Sequence, residues 1–123
     1  MRILQSSEDY LETILQIQNK KGVVRSIDIA HELNFSKASV SIAMKKLREN
    51  NYILVDENGY ITFTEEGYNI AQRVQEKHEL LTNALIALGV SKEQAEIDAC
   101  KVEHNVSDET FDAIKRHMKK RGI

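Results

Sequence analysis

The sequence predicts a mainly α fold, a winged helix-turn-helix unit followed by a helical second half, and three observations predict it. Two short helical stretches lie either side of a tight turn at Asn34-Phe35. Two β-rich runs, Tyr52-Ile53-Leu54-Val55 and Tyr60-Ile61-Thr62-Phe63, flank an Asn58-Gly59 turn signal. Beyond Thr64 the apolar residues return to helical spacing. Helix, turn, helix and hairpin in that order are more specific together than any part alone. With no proline and 5 glycines in 123 residues, few positions force a helix to stop.

The elements follow in order. From about Ser7 to Lys20 the chain carries Leu11, Ile14 and Leu15 at helical spacing, with Glu8 and Asp9 near the start, where the helix dipole favours acids. Gly22 breaks this helix, and the β-prone Val23-Val24 leads to Ser26, the expected cap of a second helix through Asp28, Ile29, Ala30 and Leu33. Ser36 caps a third helix, Lys37 to about Asn50, with Val40, Ala43, Met44 and Leu47 facing inward. Thr64 is the expected cap of a long helix reaching about Leu88, whose apolar stripe is Ile70, Val74, Leu81, Leu85 and Leu88 and includes His78. Gly89 ends it. Ser91 and Gln94 predict a capping box for a helix extending to about His104, and Ser107 caps a last helix that ends in Lys119-Lys120-Arg121. The expected division is 1–66 for the winged unit and 67–123 for a linker helix and helical domain.

Composition sets outer bounds. A net charge of −2 argues against indiscriminate coating of nucleic acid, yet leaves room for a locally basic helix. No run approaches the roughly 18 apolar residues of a membrane span. The single cysteine excludes an internal disulfide, and the N-terminus lacks a charged-then-apolar signal pattern, so the expected compartment is the cytoplasm. A chain this short has a modest core, and a helical appendage with an apolar stripe calls for a partner, so a homodimer is the default expectation.

The third helix presents Ser36, Lys37, Ser39, Ser41, Lys45, Lys46 and Arg48 on its outer side or ends. Short hydroxyls donate at close range while cations neutralise phosphates, a mixture suited to double-stranded DNA. A solvated helix face is the plainer reading of such charges; the turn and the wing shift the balance to DNA. Asn58 and Gly59 at the wing tip are placed to approach the backbone or minor groove.

Three groups bear on metal chemistry. Asp9 and Glu12 share a helix face turned away from the Leu11, Ile14 and Leu15 stripe, and alone they read as solvated acids. Cys100, Glu103 and His104 stack at i, i+3 and i+4, a spacing that suits chelation, with Ala95, Ala99, Val102 and Val106 opposite. His78, on an apolar stripe, is by itself more readily a core histidine than a ligand. His31 and His117 read as surface residues. No Gly-rich phosphate loop, nucleophile elbow or His-Glu-x-x-His helix is present, and Cys100 with His104 lacks an orienting group, so an enzyme is not expected.

At this point the residues resemble a known family, the diphtheria-toxin-repressor and manganese-transport-regulator group of metal-dependent transcriptional repressors. The resemblance rests on Glu8-Asp9-Tyr10-Leu11-Glu12, Ser26-Ile27-Asp28-Ile29-Ala30, Ser36-Lys37-Ala38-Ser39-Val40-Ser41, Phe63-Thr64-Glu65-Glu66-Gly67 and Cys100-Lys101-Val102-Glu103-His104, in order along nearly the whole chain. It implies a winged helix-turn-helix DNA-binding domain and a helical dimerisation domain, with metal bound between them and without the SH3-like domain of some members. By position, Asp9, Glu12, His78, Cys100, Glu103 and His104 match the ligand positions. Manganese-type members resemble this chain at Asp9 and Glu12 but carry a carboxylate at Cys100; iron-type members have the cysteine and a methionine at Asp9. The chain is a hybrid. The resemblance thus implies Fe(II) or Mn(II), with Co(II), Zn(II) or Cd(II) substituting in vitro. The acid of an ancillary site is replaced by Thr82, and Glu96 is the candidate substitute.

The function this implies is a metal-activated repressor of iron or manganese homeostasis, acting as a homodimer on a palindromic operator with half-sites about 34–36 Å apart or a multiple of that. The rival is a metal-independent winged-helix regulator or protein-interaction module. A metal-handling enzyme is a third reading, and it would require turnover.

Overall fold

A computed structural model describes residues 5–122. They form six helices and one two-stranded sheet: α1 (Gln5–Lys21), α2 (Ser26–Leu33), α3 (Lys37–Glu49), β1 (Ile53–Val55), β2 (Ile61–Phe63), α4 (Glu65–Ala87), α5 (Lys92–Val102) and α6 (Asp108–Lys120). The mainly α class and the helix-turn-helix and wing order stand as expected. The chain divides into two compact units, Met1–Gln72 and Arg73–Ile123, within α4.

The first unit closes around Leu11, Ile14, Val24, Ile29, Val40 and Ile53, all fully buried. Past the end of each helix of the helix-turn-helix an asparagine takes the left-handed conformation, Asn34 (φ 56°) as the C-cap of α2 and Asn51 (φ 62°) just after the Asn50 C-cap of α3. Asparagine tolerates that conformation because its short polar side chain bonds locally. After each, a backbone N–H reaches back to satisfy a terminal carbonyl: Phe35 donates to Ala30 O at 3.0 Å and Tyr52 to Leu47 O at 3.0 Å.

Ser26 does not cap α2. It is the first helical residue, and the cap is Arg25, whose backbone N–H donates to Asp28 Oδ2 at 2.9 Å. Asp28, three residues after the cap, thus supplies the return half of a capping box, accepting the N-cap residue's own N–H. Lys21 Nζ also donates to Asp28, and this bond chiefly holds the Asp28 carboxyl below its ordinary range, against a smaller opposing effect of burial.

β1 and β2 pair antiparallel with Ile53 opposite Phe63 and Val55 opposite Ile61. The connection is longer than a two-residue Asn-Gly turn. Asp56 organises it: Oδ1 accepts the N–H groups of Asn58 and Tyr60 at 2.9 Å each, and Gly59 turns at φ 82°. The β-prone Val24 contributes a single bond, accepting from Ile61 N–H at 2.8 Å.

Thr64 caps α4 as expected: its Oγ1 accepts Gly67 N–H at 3.1 Å and donates to Asn51 O at 2.7 Å. This draws the first turn of α4 onto the Tyr52 carbonyl, where a Cβ on Gly67 would lie 1.9 Å from the oxygen. Glycine is required there by close approach.

The second unit is thinner. Val74, Leu81, Ala95, Ala99, Phe111 and Met118 are its buried apolar residues. Ion pairs tie α4 to α6, with Arg73 and Lys77 on Asp108 and Lys115 on Glu76, and Lys77 Nζ donates to Val106 O at 3.1 Å. Ser91 and Ser107 cap α5 and α6. Ser91 Oγ accepts the Gln94 N–H at 3.3 Å, and the Gln94 side-chain amide donates to Asp98 Oδ1 at 2.9 Å. Among the described residues no helix is long and apolar enough to cross a membrane.

Candidate metal centre and nucleic-acid interface

In α1, Asp9 and Glu12 lie three residues apart on one face. Asp9 is half-buried, while Glu12 is 8 % exposed, as buried as the apolar stripe beside it. The solvated-acid reading of Glu12 is therefore wrong. Burying a carboxylate costs several kcal/mol unless something compensates its charge.

In the second unit α5 ends earlier than its spacing predicts. Glu103 is the C-cap and His104 lies in the following turn, closed by Asn105 N–H donating to Val102 O at 2.9 Å. The buried side of α5 is also rotated. Ala95, Ala99 and Glu103 line it at i, i+4 and i+8, so Glu103 is 1 % exposed whereas Val102, expected opposite, is 45 % exposed. Glu103 thus occupies the core stripe. His78 of α4 meets it there, with Nδ1 at 2.8 Å from Glu103 Oε2, and His104 Nε2 lies 3.4 Å from Glu103 Oε1.

One fully buried carboxylate with an imidazole at each oxygen is a donor set that divalent transition ions favour. His78, on the apolar stripe of α4, thus has a ring nitrogen engaged by an acid. Cys100, one turn earlier on α5, is exposed, and Glu96 is exposed. Thr82 is buried, and among the described residues its Oγ1 has no hydrogen-bond partner.

The outer face of α3 carries the predicted cations and hydroxyls. Lys37, Ser39, Ser41, Lys45, Lys46 and Arg48 are all exposed, as is Asn58 on the wing, with Gly59 half-buried. Ser36 is partly committed to local structure: its Oγ accepts Ser39 N–H at 3.1 Å and donates to Ser39 Oγ at 2.9 Å. One residue was missed. Ile42 stands 60 % exposed in the middle of this face. Its signal was legible, because at roughly 100° per residue it projects away from Val40, Met44 and Leu47.

Two family profiles match in succession: "Iron dependent repressor, N-terminal DNA binding domain" over residues 2–62 and "Iron dependent repressor, metal binding and dimerisation domain" over residues 64–121. The chain belongs to this family. It is a family of metal-dependent DNA-binding transcriptional repressors, and transcriptional regulators are not a class of enzyme. The transcriptional regulator MntR of Escherichia coli is 36 % identical over 115 residues, covering 94 % of this chain and 74 % of that protein. Among solved structures, the metal-dependent transcriptional regulator MtsR is 26 % identical with a TM-score of 0.85, over 92 % of this chain and 53 % of its own. A manganese-dependent transcriptional repressor in complex with manganese is 27 % identical with a TM-score of 0.82, over 92 % of this chain and 52 % of its own. The chain spans about half the length of these two solved family members.

Proposed function

We propose that this protein is a metal-activated transcriptional repressor of iron or manganese homeostasis, a cytoplasmic homodimer that binds a palindromic double-stranded operator and has no catalytic activity. The observation that carries the reading is the buried Glu103 carboxylate held between the imidazoles of His78 and His104. We assign Asp9, Glu12, His78, Cys100, Glu103 and His104 as ligands, with Glu96 in an ancillary role where Thr82 leaves a hydroxyl. The DNA-binding domain is 1–66, and 67–123 holds the linker helix and the metal-binding and dimerisation domain. Ser36, Lys37, Ser39, Ser41, Lys45, Lys46, Arg48, Asn58 and Gly59 contact DNA.

The ion supplies the positive charge that lets several acids share one site. Asp9 and Glu12 belong to α1 of the DNA-binding unit, and the other four belong to the second unit, so their joint ligation couples metal to the position of α3. By linkage, DNA then tightens metal binding by the same factor that metal tightens DNA. Carboxylates are hard donors that suit Mn(II), while the Cys100 thiolate is soft and favours Fe(II), Co(II), Zn(II) and Cd(II). The manganese-bound structural neighbour supports Mn(II), and the cysteine supports Fe(II) beside it.

The test is an anisotropy titration on a palindromic operator, with chelator and with graded Mn(II), Fe(II), Co(II), Zn(II) and Cd(II). Tight binding with Mn(II) or Fe(II), and its loss on chelation and in His104→Ala, is the expected result. Equal affinity with and without chelator establishes the metal-independent rival.

A further inference from the structure

Positions 38, 42, 45 and 49 make up the ridge of α3 that points directly away from its buried side of Val40, Met44 and Leu47. They are Ala38, Ile42, Lys45 and Glu49, all exposed. A large aliphatic side chain at the centre of a face built otherwise for phosphates and polar edges lacks a reason within the fold. It leaves apolar surface in water, and nothing in the first unit's core uses it. Its surroundings state what would cover it: Lys37, Lys45, Lys46 and Arg48 frame it with positive charge, and the profile matched by residues 2–62 is that of a DNA-binding domain.

We propose that Ile42 is a specificity-determining residue that reads thymine methyl groups in the major groove of the operator, with Ala38 one turn earlier widening the same apolar contact. This rests on the DNA-binding reading above. The major groove offers one apolar mark per base pair, the C5-methyl of thymine, and an aliphatic side chain distinguishes it by contact alone. Isoleucine is suited to this, since its β-branch leaves one strongly preferred χ1 in a helix and little side-chain freedom to lose on binding. Ala38 lies at i−4 and nearer the N-terminus of α3, the end of a recognition helix that meets base edges. Ser41 and Lys45 on either side supply hydroxyl and ammonium donors to neighbouring acceptors, so Ile42 specifies A·T pairs at the centre of the half-site and the polar residues specify its flanks.

The experiment selects binding sites from a random duplex library with full-length protein loaded with Mn(II) or with Fe(II). Selected duplexes are then remade with deoxyuridine in place of each thymine in turn, which removes a methyl and leaves every hydrogen-bonding group. The expected result is one or two thymines per half-site whose replacement weakens wild type about fourfold each, the worth of one buried methyl-sized group. Ile42→Ala should bind the thymine duplex about tenfold more weakly and become indifferent to deoxyuridine at those positions. Ile42→Val, which keeps the β-branch, should retain most of the sensitivity. If duplexes are selected but wild type and Ile42→Ala respond identically to deoxyuridine, the inference is overturned while the DNA-binding reading stands. If the library yields no selected duplex with either Mn(II) or Fe(II), the DNA-binding reading fails and takes the inference with it. Circular dichroism of both variants verifies the fold, which an exposed residue does not support.

Discussion

The two compact units put their buried residues to different uses. The first surrounds fully buried aliphatic side chains, Leu11, Ile14, Val24, Ile29, Val40 and Ile53, with three helices and a hairpin. The second buries fewer apolar residues, places the Glu103 carboxylate among its most buried groups, and leaves an apolar groove of about 470 Å³ lined by Ala84, Ala87, Leu88, Ala113, Ile114 and Met118. Leu88 is 80 % exposed at that groove. One unit is stabilised by its own packing. The other is built around polar chemistry and an uncovered face, which makes its stability depend on what binds it.

The contrast can be broken from its strong side first. Leu11→Ala removes a fully buried side chain from the first unit and should cost about 2–5 kcal/mol. Denaturant unfolding measures this, and a loss below 1 kcal/mol would mean that unit is less self-sufficient than its burial implies. Next, Mn(II) at about a hundredfold over its dissociation constant should stabilise the wild type by about 2.7 kcal/mol. Glu103→Gln should erase most of that gain, and chelated samples of the two proteins should melt close together; thermal scans with and without Mn(II) decide it.

The uncovered face comes third. Leu88→Glu should shift the homodimer toward monomer by about 1.5–3 kcal/mol, the worth of one buried leucine, with sedimentation velocity as the readout. A dimer unaffected by this change does not use the groove. The smallest effect is expected at the α2 cap. Asp28→Ala should cost about 1 kcal/mol near neutral pH. Because Lys21 and the Arg25 N–H lower the Asp28 pKa in the folded state, the stabilisation is complete above the ordinary carboxylate value of about 3.9 and fades as pH falls below it. The difference between wild type and variant should therefore vanish in acid melts.

Much of the first unit was legible because its signals are local. Asn34, Ser36, Thr64 and the β-rich runs act within a few residues of themselves, and each did what its chemistry predicts. Ser26 misled for a related reason: a serine before an apolar run suggests a cap, but the helix already begins at Ser26, and Asp28 closes its start by accepting the Arg25 N–H. The wing loop misled likewise, since Asn58-Gly59 signals a tight turn and the Asp56 carboxylate claims two N–H groups around it.

By itself the sequence determined the order and type of the elements, the basic face of α3, and the family, because capping, turn chemistry and helical period are properties of neighbours along the chain. Only the tertiary structure decided which side of α5 is buried. The i, i+3, i+4 spacing puts Cys100, Glu103 and His104 on one face, but a packed helix rotates to suit its neighbours, and α5 turned Glu103 inward beside His78 while leaving Cys100 exposed. The partnership of His78 with an acid 25 positions away depends on how helices cross, which no local pattern encodes.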